Sequence, residues 1–374
     1  MLFSNSLKYP IGLDISDLSL KLVQLQKKGT KIKIKALGRL DVPVGLIVDG
    51  EIKDQDKVIS LIKELISKPQ YGKVSSDMVV ACLPETKTFI KLINVAKTPN
   101  NFDDIIEIEI QKHVPMLINE IYYDWQMIED KGSEQLILIG AAPKKIVNQY
   151  TGLFDKAQLS VEALEIEPTA ISRAVLKEES PKVQSSGGHY AIIDMGAKRT
   201  SLVVYAKNTI LFTASVPISG EKITSEISTS LDISQEQAEK AKIICGLNDK
   251  RTEKIIIKIL DNTIKDLNDR IKEVLEFNNT HFSQFGSINK ILLGGGGANI
   301  KGIADVIKNT VSLEVIKSDP LANIDETPED FCKLLTKRQD KNNLGNNLAV
   351  DSGEILTFAT ALGLALRGVF IDKL

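Results

Sequence analysis

The chain reads as an α/β protein of two similar lobes, and three observations lead there. Asp14 and Asp194 each end a short apolar strand that turns sharply into a second one, in Ile11-Gly-Leu-Asp-Ile-Ser-Asp-Leu-Ser-Leu-Lys-Leu-Val and Ala191-Ile-Ile-Asp-Met-Gly-Ala-Lys-Arg-Thr-Ser-Leu-Val-Val. The two units lie 180 residues apart, as expected for similar half-domains facing each other across a ligand cleft. Third, Ile288 to Ile303 carries an apolar strand into the four glycines Gly294, Gly295, Gly296 and Gly297 and then a helix, so backbone can approach a flat ligand without Cβ atoms between.

The elements follow in order from periodicity and turn chemistry. Strands at Ile11–Ile15 and Leu20–Gln26 precede a lysine-rich hairpin over residues 27–40, and Gly45–Asp49 turns the chain. Val58, Ile59, Ile62, Leu65 and Ile66 predict a helix over 56–68. Strand 89–95, helix 102–113 ending before Pro115, strands 122–128 and 135–141, and helix 144–157 form a compact unit, with Trp125 in its core. His113 closes its helix, where a cation complements the dipole. The segment 178–189, with Pro181, Gly187 and Gly188, reads as a flexible link. Helices are expected at 235–245 and 251–285, a polar surface loop at 325–350, and an apolar small-residue helix at 356–369. The resulting division is a first lobe at 1–83, a small subdomain at 84–160, a return and hinge at 161–187, a second lobe at 188–350 with a helical part near 222–286, and a helix at 351–374 returning to the first lobe.

Composition narrows the function classes. With 374 residues the chain exceeds a single-core domain, and 43% apolar with 26% charged residues is an ordinary globular composition. A net charge of −2 argues against a nucleic-acid binder held by its overall field. Cys82, Cys245 and Cys332 are far apart and, with three histidines, show no metal-type spacing, which fits a reducing compartment. Met1–Pro10 holds only scattered apolar residues and no run of eighteen apolar residues occurs, so a cytoplasmic protein is expected.

The paired hairpins suit phosphate and Mg²⁺. A tight tip with small residues offers N–H groups to phosphate oxygens, while Asp14 and Asp194 would hold the cation, mostly through its retained waters. Ser16, Ser19 and Lys21 in the first loop, and Gly196, Ala197, Lys198 and Thr200 in the second, are the candidate phosphate neighbours. Each hairpin alone is more often a plain turn; order and spacing together favour the ligand reading.

These motifs resemble those of the actin-like ATPase superfamily, which includes actin, sugar kinases, heat-shock chaperone ATPases and the division protein FtsA. The first hairpin is similar to the phosphate 1 loop, the second to phosphate 2, and Leu293–Ala298 to the adenosine loop. The resemblance implies an actin-like, ribonuclease H-like two-lobed fold binding ATP or ADP with Mg²⁺. Leu164-Glu-Ile-Glu-Pro-Thr-Ala resembles the segment whose glutamate positions the attacking water, which falls on Glu167 as the catalytic candidate. Gly220-Glu-Lys-Ile-Thr and Ala238-Glu-Lys-Ala-Lys resemble nucleoside-contacting segments, which would place Gly220, Glu221, Lys222, Glu239 and Lys242 near the base and ribose.

Within the superfamily the chain resembles the PilM family of type IV pilus inner-membrane platforms. Val48-Asp-Gly-Glu-Ile-Lys-Asp, Val79-Val-Ala-Cys-Leu-Pro-Glu, Ile108-Glu-Ile-Gln-Lys-His-Val-Pro and Ala359-Thr-Ala-Leu-Gly-Leu-Ala-Leu-Arg-Gly carry the likeness in order. It implies an FtsA/PilM-type inserted subdomain and a cytoplasmic scaffold that receives the N-terminal tail of a PilN-like single-pass membrane protein. Through that protein it would meet PilO-like proteins and the pilus assembly ATPase, and so the membrane, and a homo-oligomer stays open. Two departures from the family pattern bear on mechanism. Ser16 stands where the pattern has glycine, with strain expected if φ there is positive, and Asp17 would bring a carboxylate toward the phosphates. Binding is therefore expected before hydrolysis. The alternatives are a small-molecule kinase, which needs an acceptor-side carboxylate and larger insertions, and an FtsA-like filament protein, which needs an amphipathic membrane helix beyond Phe370.

Overall fold

A computed structural model describes residues 8–97, 102–177, 188–247, 254–336 and 352–370. The chain divides into two compact units, residues 1–178 with 319–374, and residues 179–318.

The first unit opens with β1 (Ile11–Ile15), β2 (Ser19–Lys28), β3 (Lys31–Asp41), the short β4 (Ile47–Val48) and β5 (Glu51–Ile52), α1 (Gln55–Ser67), β6 (Tyr71–Gly72) and β7 (Met78–Leu83). It continues with β8 (Phe89–Ala96), α2 (Phe102–His113), β9 (Ile121–Asp130), β10 (Glu134–Pro143), α3 (Lys144–Ala157), β11 (Ser160–Ile166) and α4 (Glu167–Val175). The second unit holds β12 (Tyr190–Met195), β13 (Thr200–Ala206), β14 (Thr209–Val216), α5 (Gly220–Leu231), α6 (Gln235–Cys245), α7 (Lys254–His281), β15 (Lys290–Gly294), α8 (Ile303–Val311) and β16 (Glu314–Lys317). The chain then returns to the first unit as α9 (Pro328–Thr336) and α10 (Ala359–Phe370).

The units repeat one topology. The first runs β11-β7-β1-β2-β3, the second β16-β15-β12-β13-β14. In each, the strand that ends on the aspartate pairs antiparallel with the next strand and parallel with a later one. Every residue of β1 is buried, as a central strand covered on both faces requires. Asp54 caps α1 by accepting from Lys57 N, and Val58, Ile59, Ile62 and Leu65 pack into a core shared with Tyr150, Leu153 and Phe154 of α3. Ile106 and Ile110 of α2 cover Ile137 and Ile139 of β10 in a separate small core, with Trp125 packed at its margin.

Two expectations are corrected. Residues 319–336 belong to the first unit, and 328–336 is the helix α9 where a polar loop was expected. Asn323 donates to the carbonyls of Arg173 and Leu176, Asp325 bonds to both the amide and the carbonyl of Ile32, and Phe331 packs edge-on against Phe358. Phe331 and Leu335 form the apolar stripe that the asparagine-rich flank obscured. Most of the expected link at 178–189 and of the loop at 325–350 lies outside the described residues. Residues Gly353–Phe370 are long and apolar enough to cross a membrane, yet 67% of that stretch is buried within the first unit, where α10 covers β1 and α4.

His189, immediately before β12, is buried, with neither ring nitrogen in a hydrogen bond to a described residue. Burial lowers its pKa below 6.5, outweighing Asn278 and the backbone at Phe285 and Gly286 beside it. An unfolded chain binds the proton first, so this group's stabilisation is complete above pH 6.5 and is lost as pH falls toward the lowered value. We expect the urea midpoint to drop between pH 7.5 and 5.5, and less steeply in His189→Gln; an identical slope in that variant would rule His189 out as the source. The histidine expected to cap α2 behaves similarly: burial, then Lys91, favours neutral His113, against the expected cation.

Candidate functional site

The two aspartate loops close in the same way. Ser16 N donates to Ser19 O at 3.0 Å, and Gly196 N donates to Arg199 O at 2.9 Å, each bond starting two residues past its aspartate.

In the first unit Asp14 faces Lys21 across β1 and β2. Lys21 Nζ donates to Asp14 Oδ2 at 3.0 Å, with side chains 10% and 8% exposed. Asp14 is the ammonium's sole hydrogen-bond partner among the described residues, which leaves donor capacity for an anion. Ser16 Oγ donates to Ser19 O at 3.0 Å and lies 3.1 Å from Ser19 Oγ. Ser16 is absent from the residues with positive φ, so the strain expected from replacing glycine is not present. Asp17 does not bring its charge to the loop mouth: its carboxylate accepts from the amides of Asp49 and Gly50, both at 2.9 Å. Glu167 is the first residue of α4, and its Oε1 accepts from Thr360 Oγ1 at 3.2 Å. Burial and then the charges of Glu167 and Asp14 push the Cys82 thiol upward.

In the second unit Asp194 faces Ser201 in register and pairs with Gly294 at the end of β15. A Cβ on Gly294 would lie 2.9 Å from Asp194 Oδ1 and 3.3 Å from Ser318 Oγ. Gly295 has φ 70°, and a Cβ there would come within 2.8 Å of the Met195 backbone. The glycine turn thus lets β15 close directly over the residue that follows Asp194. Gly296 is exposed and Gly297 packs on Met195.

The second loop and the start of α5 are stitched together. Gly220 N donates to Gly196 O at 3.1 Å and Glu221 N to Ala197 O at 3.0 Å. Lys198 pairs with Glu221 at 2.5 Å while both stay partly exposed. Thr200 is fully buried, its hydroxyl donating to Ile218 O at 2.8 Å, so it is not presented to a ligand. Lys242 is buried on α6, and its Nζ reaches Glu239 Oε2 at 2.7 Å, Thr224 Oγ1 at 3.0 Å and Gly220 O at 3.1 Å. Glu239 and Lys242 therefore neutralise each other beside Gly220, and Lys222 is exposed on α5. Ser318 went unnoticed in the sequence. Its buried hydroxyl has no partner among the described residues, and only the β15–β16 pairing brings it beside Gly294.

Each unit presents its own set of groups: the first a buried ammonium beside a carboxylate, the second a carboxylate beside a Cβ-free turn and a hydroxyl without a partner among the described residues.

Comparisons with known proteins bear on the family and the fold. FtsA, the cell division protein of Streptococcus pneumoniae serotype 2, is 23% identical over 348 residues, covering 81% of this chain and 74% of FtsA. A chain of the PilM-PilN type IV pilus biogenesis complex superimposes with a TM-score of 0.76 at 24% identity, over 97% of this chain and 99% of that one. MreB 5 of Spiroplasma citri, solved bound to AMPPNP, gives a TM-score of 0.56 at 13% identity over 97% and 96%. The fold is therefore actin-like. The sequence profile described as "Type IV pilus assembly protein PilM" matches residues 12–369, and the chain belongs to that family.

Proposed function

We propose that this protein is a nucleotide-binding scaffold of a type IV pilus assembly platform. It takes ATP or ADP with Mg²⁺ through its two aspartate loops and docks the tail of a PilN-like membrane protein. The observation that carries the reading is the duplicated loop, Asp14 with Lys21 in one unit and Asp194 beside the Gly294–Gly297 turn in the other. Lys21 would turn its spare donors to a phosphate, and Asp14 and Asp194 would orient waters of the cation. Nucleotide would bias the protein toward the state that prefers the partner through its differential affinity for the two states. Glu167 is the group to orient water if hydrolysis occurs.

Partner docking has support in the inserted subdomain, where Leu117 is 65%, Tyr122 48% and Met127 42% exposed. Association with the cytoplasmic face of the membrane, with PilO-like proteins and with the assembly ATPase would then run through the PilN-like partner.

The test is calorimetric titration with ATP, with and without Mg²⁺, on wild type and Asp194→Ala, following phosphate release in the same samples. We expect Mg²⁺-dependent binding, weakened about 100-fold or more by the substitution on losing a charged ligand, and slow phosphate release. Wild type that takes up no nucleotide would leave an actin-like docking platform without a nucleotide switch. Transfer of phosphate to a small sugar or acid would favour the kinase.

A further inference from the structure

Asp17 belongs to the first loop by sequence but holds a different segment in the structure. Asp49 N donates to its Oδ2 and Gly50 N to its Oδ1, both at 2.9 Å. Asp49 and Gly50 have φ of 50° and 75° and form the turn between β4 and β5, where consecutive amides face one anion. The next residue adds a second hold, since Val42 N donates to Leu18 O at 2.9 Å. The loop tip therefore grips residues 42–50 at both ends. Between the grips Val44 is 83% exposed, and Val48 is 43% exposed.

The far side of this segment is tied to α3. Tyr150 Oη, buried, donates to Gly50 O at 2.9 Å. The Gln149 side chain accepts from Ile52 N at 3.3 Å and donates to Ile52 O at 2.8 Å. A Cβ on Gly50 would sit 2.2 Å from Pro84, so the turn has no room to shift toward that wall. Residues 42–52 thus form a bridge from the first aspartate loop to α3, within one unit.

We propose that Asp17 is a positioning residue that couples occupancy of the first loop to the 42–52 hairpin and, through Tyr150 and Gln149, to α3. The inference rests on the nucleotide reading above. A loop tip that adjusts when a phosphate settles against Ser16, Ser19 and Lys21 must carry the Asp49–Gly50 turn with it or break two charge-assisted hydrogen bonds at once. The exposed Val44 and Val48 then report nucleotide state on the surface of this unit.

Amide hydrogen exchange on the full chain, with and without ATP and Mg²⁺ at concentrations that calorimetry shows to be saturating, tests this. In wild type, nucleotide should slow exchange at residues 42–52 several-fold. In Asp17→Ala the Asp49 and Gly50 amides should exchange about tenfold faster without nucleotide, and saturating nucleotide should no longer change residues 42–52. Tyr150→Phe, which leaves the Asp17 grip and the Gln149 bonds intact, should keep the response at 42–52 and weaken it in α3. Saturated wild type with unchanged exchange at 42–52, or a full response in saturated Asp17→Ala, overturns the coupling while leaving nucleotide binding standing. No heat with wild type overturns both.

Discussion

Glu165→Ala is expected to lower the stability of the first unit by about 3–5 kcal/mol, the cost of stranding buried charges. The Glu165 side chain is 5% exposed and lies between two guanidinium groups. Arg173 reaches it with two parallel bonds at 2.8 Å, and Arg367 Nη1 adds a third at 2.6 Å. Arg173 Nη1 also donates to Gly363 O at 2.9 Å, so one carboxylate ties β11 and α4 to α10. Without it, two like charges remain close together in a poorly solvated site. Urea unfolding followed by the fluorescence of Trp125, the chain's single tryptophan and a residue of this unit, gives the measurement. Glu165→Gln, which keeps hydrogen-bond acceptance but loses the charge, should fall between the two. A midpoint in Glu165→Ala equal to wild type would mean that packing of α10 alone holds the unit.

Gly363→Ala should be nearly as damaging, and its contrast with Gly152→Ala isolates the reason. A Cβ on Gly363 would stand 1.8 Å from Ala170 O, because α10 and α4 touch backbone to backbone there. Separating them would loosen the Glu165 network as well, so the loss is expected at or above the upper end of about 1–3 kcal/mol for overpacking. Gly152 lies inside α3, and a Cβ there would meet nothing nearer than the tip of Gln55 at 4.0 Å. The same substitution at Gly152 should stabilise by up to about 1 kcal/mol through helix propensity. Losses of similar size at both sites would assign the effect to something other than the helix crossing.

Proposed site residues divide by what their side chains find in space. Asp14 and Lys21 stand opposite each other in the β1–β2 register, a pairing absent from the reading of Lys21 as a phosphate neighbour because cross-strand register is set by the folded hairpin. Gly294 was legible because a strand that ends in glycine announces a close approach. Asp17 was not, because its partners lie 32 and 33 residues away and are backbone amides, which carry no sequence signature. Thr200 suited a phosphate contact by type, but strand direction turned its hydroxyl inward to Ile218.

Local chemistry set the element order. Apolar strands ending on aspartate, capped amphipathic helices and glycine turns express interactions over a few residues, and these specified two α/β halves and their matching loops. The long-range contacts were settled only on folding. The β15–β16 pairing that brings Ser318 to Gly294, the return of residues 319–336 to the first unit, and the turn of Asp17 toward Asp49 and Gly50 each depend on groups distant in the chain. Burial and backbone hydrogen bonding decide such pairings, and both act through the assembled core rather than through the identity of neighbouring residues.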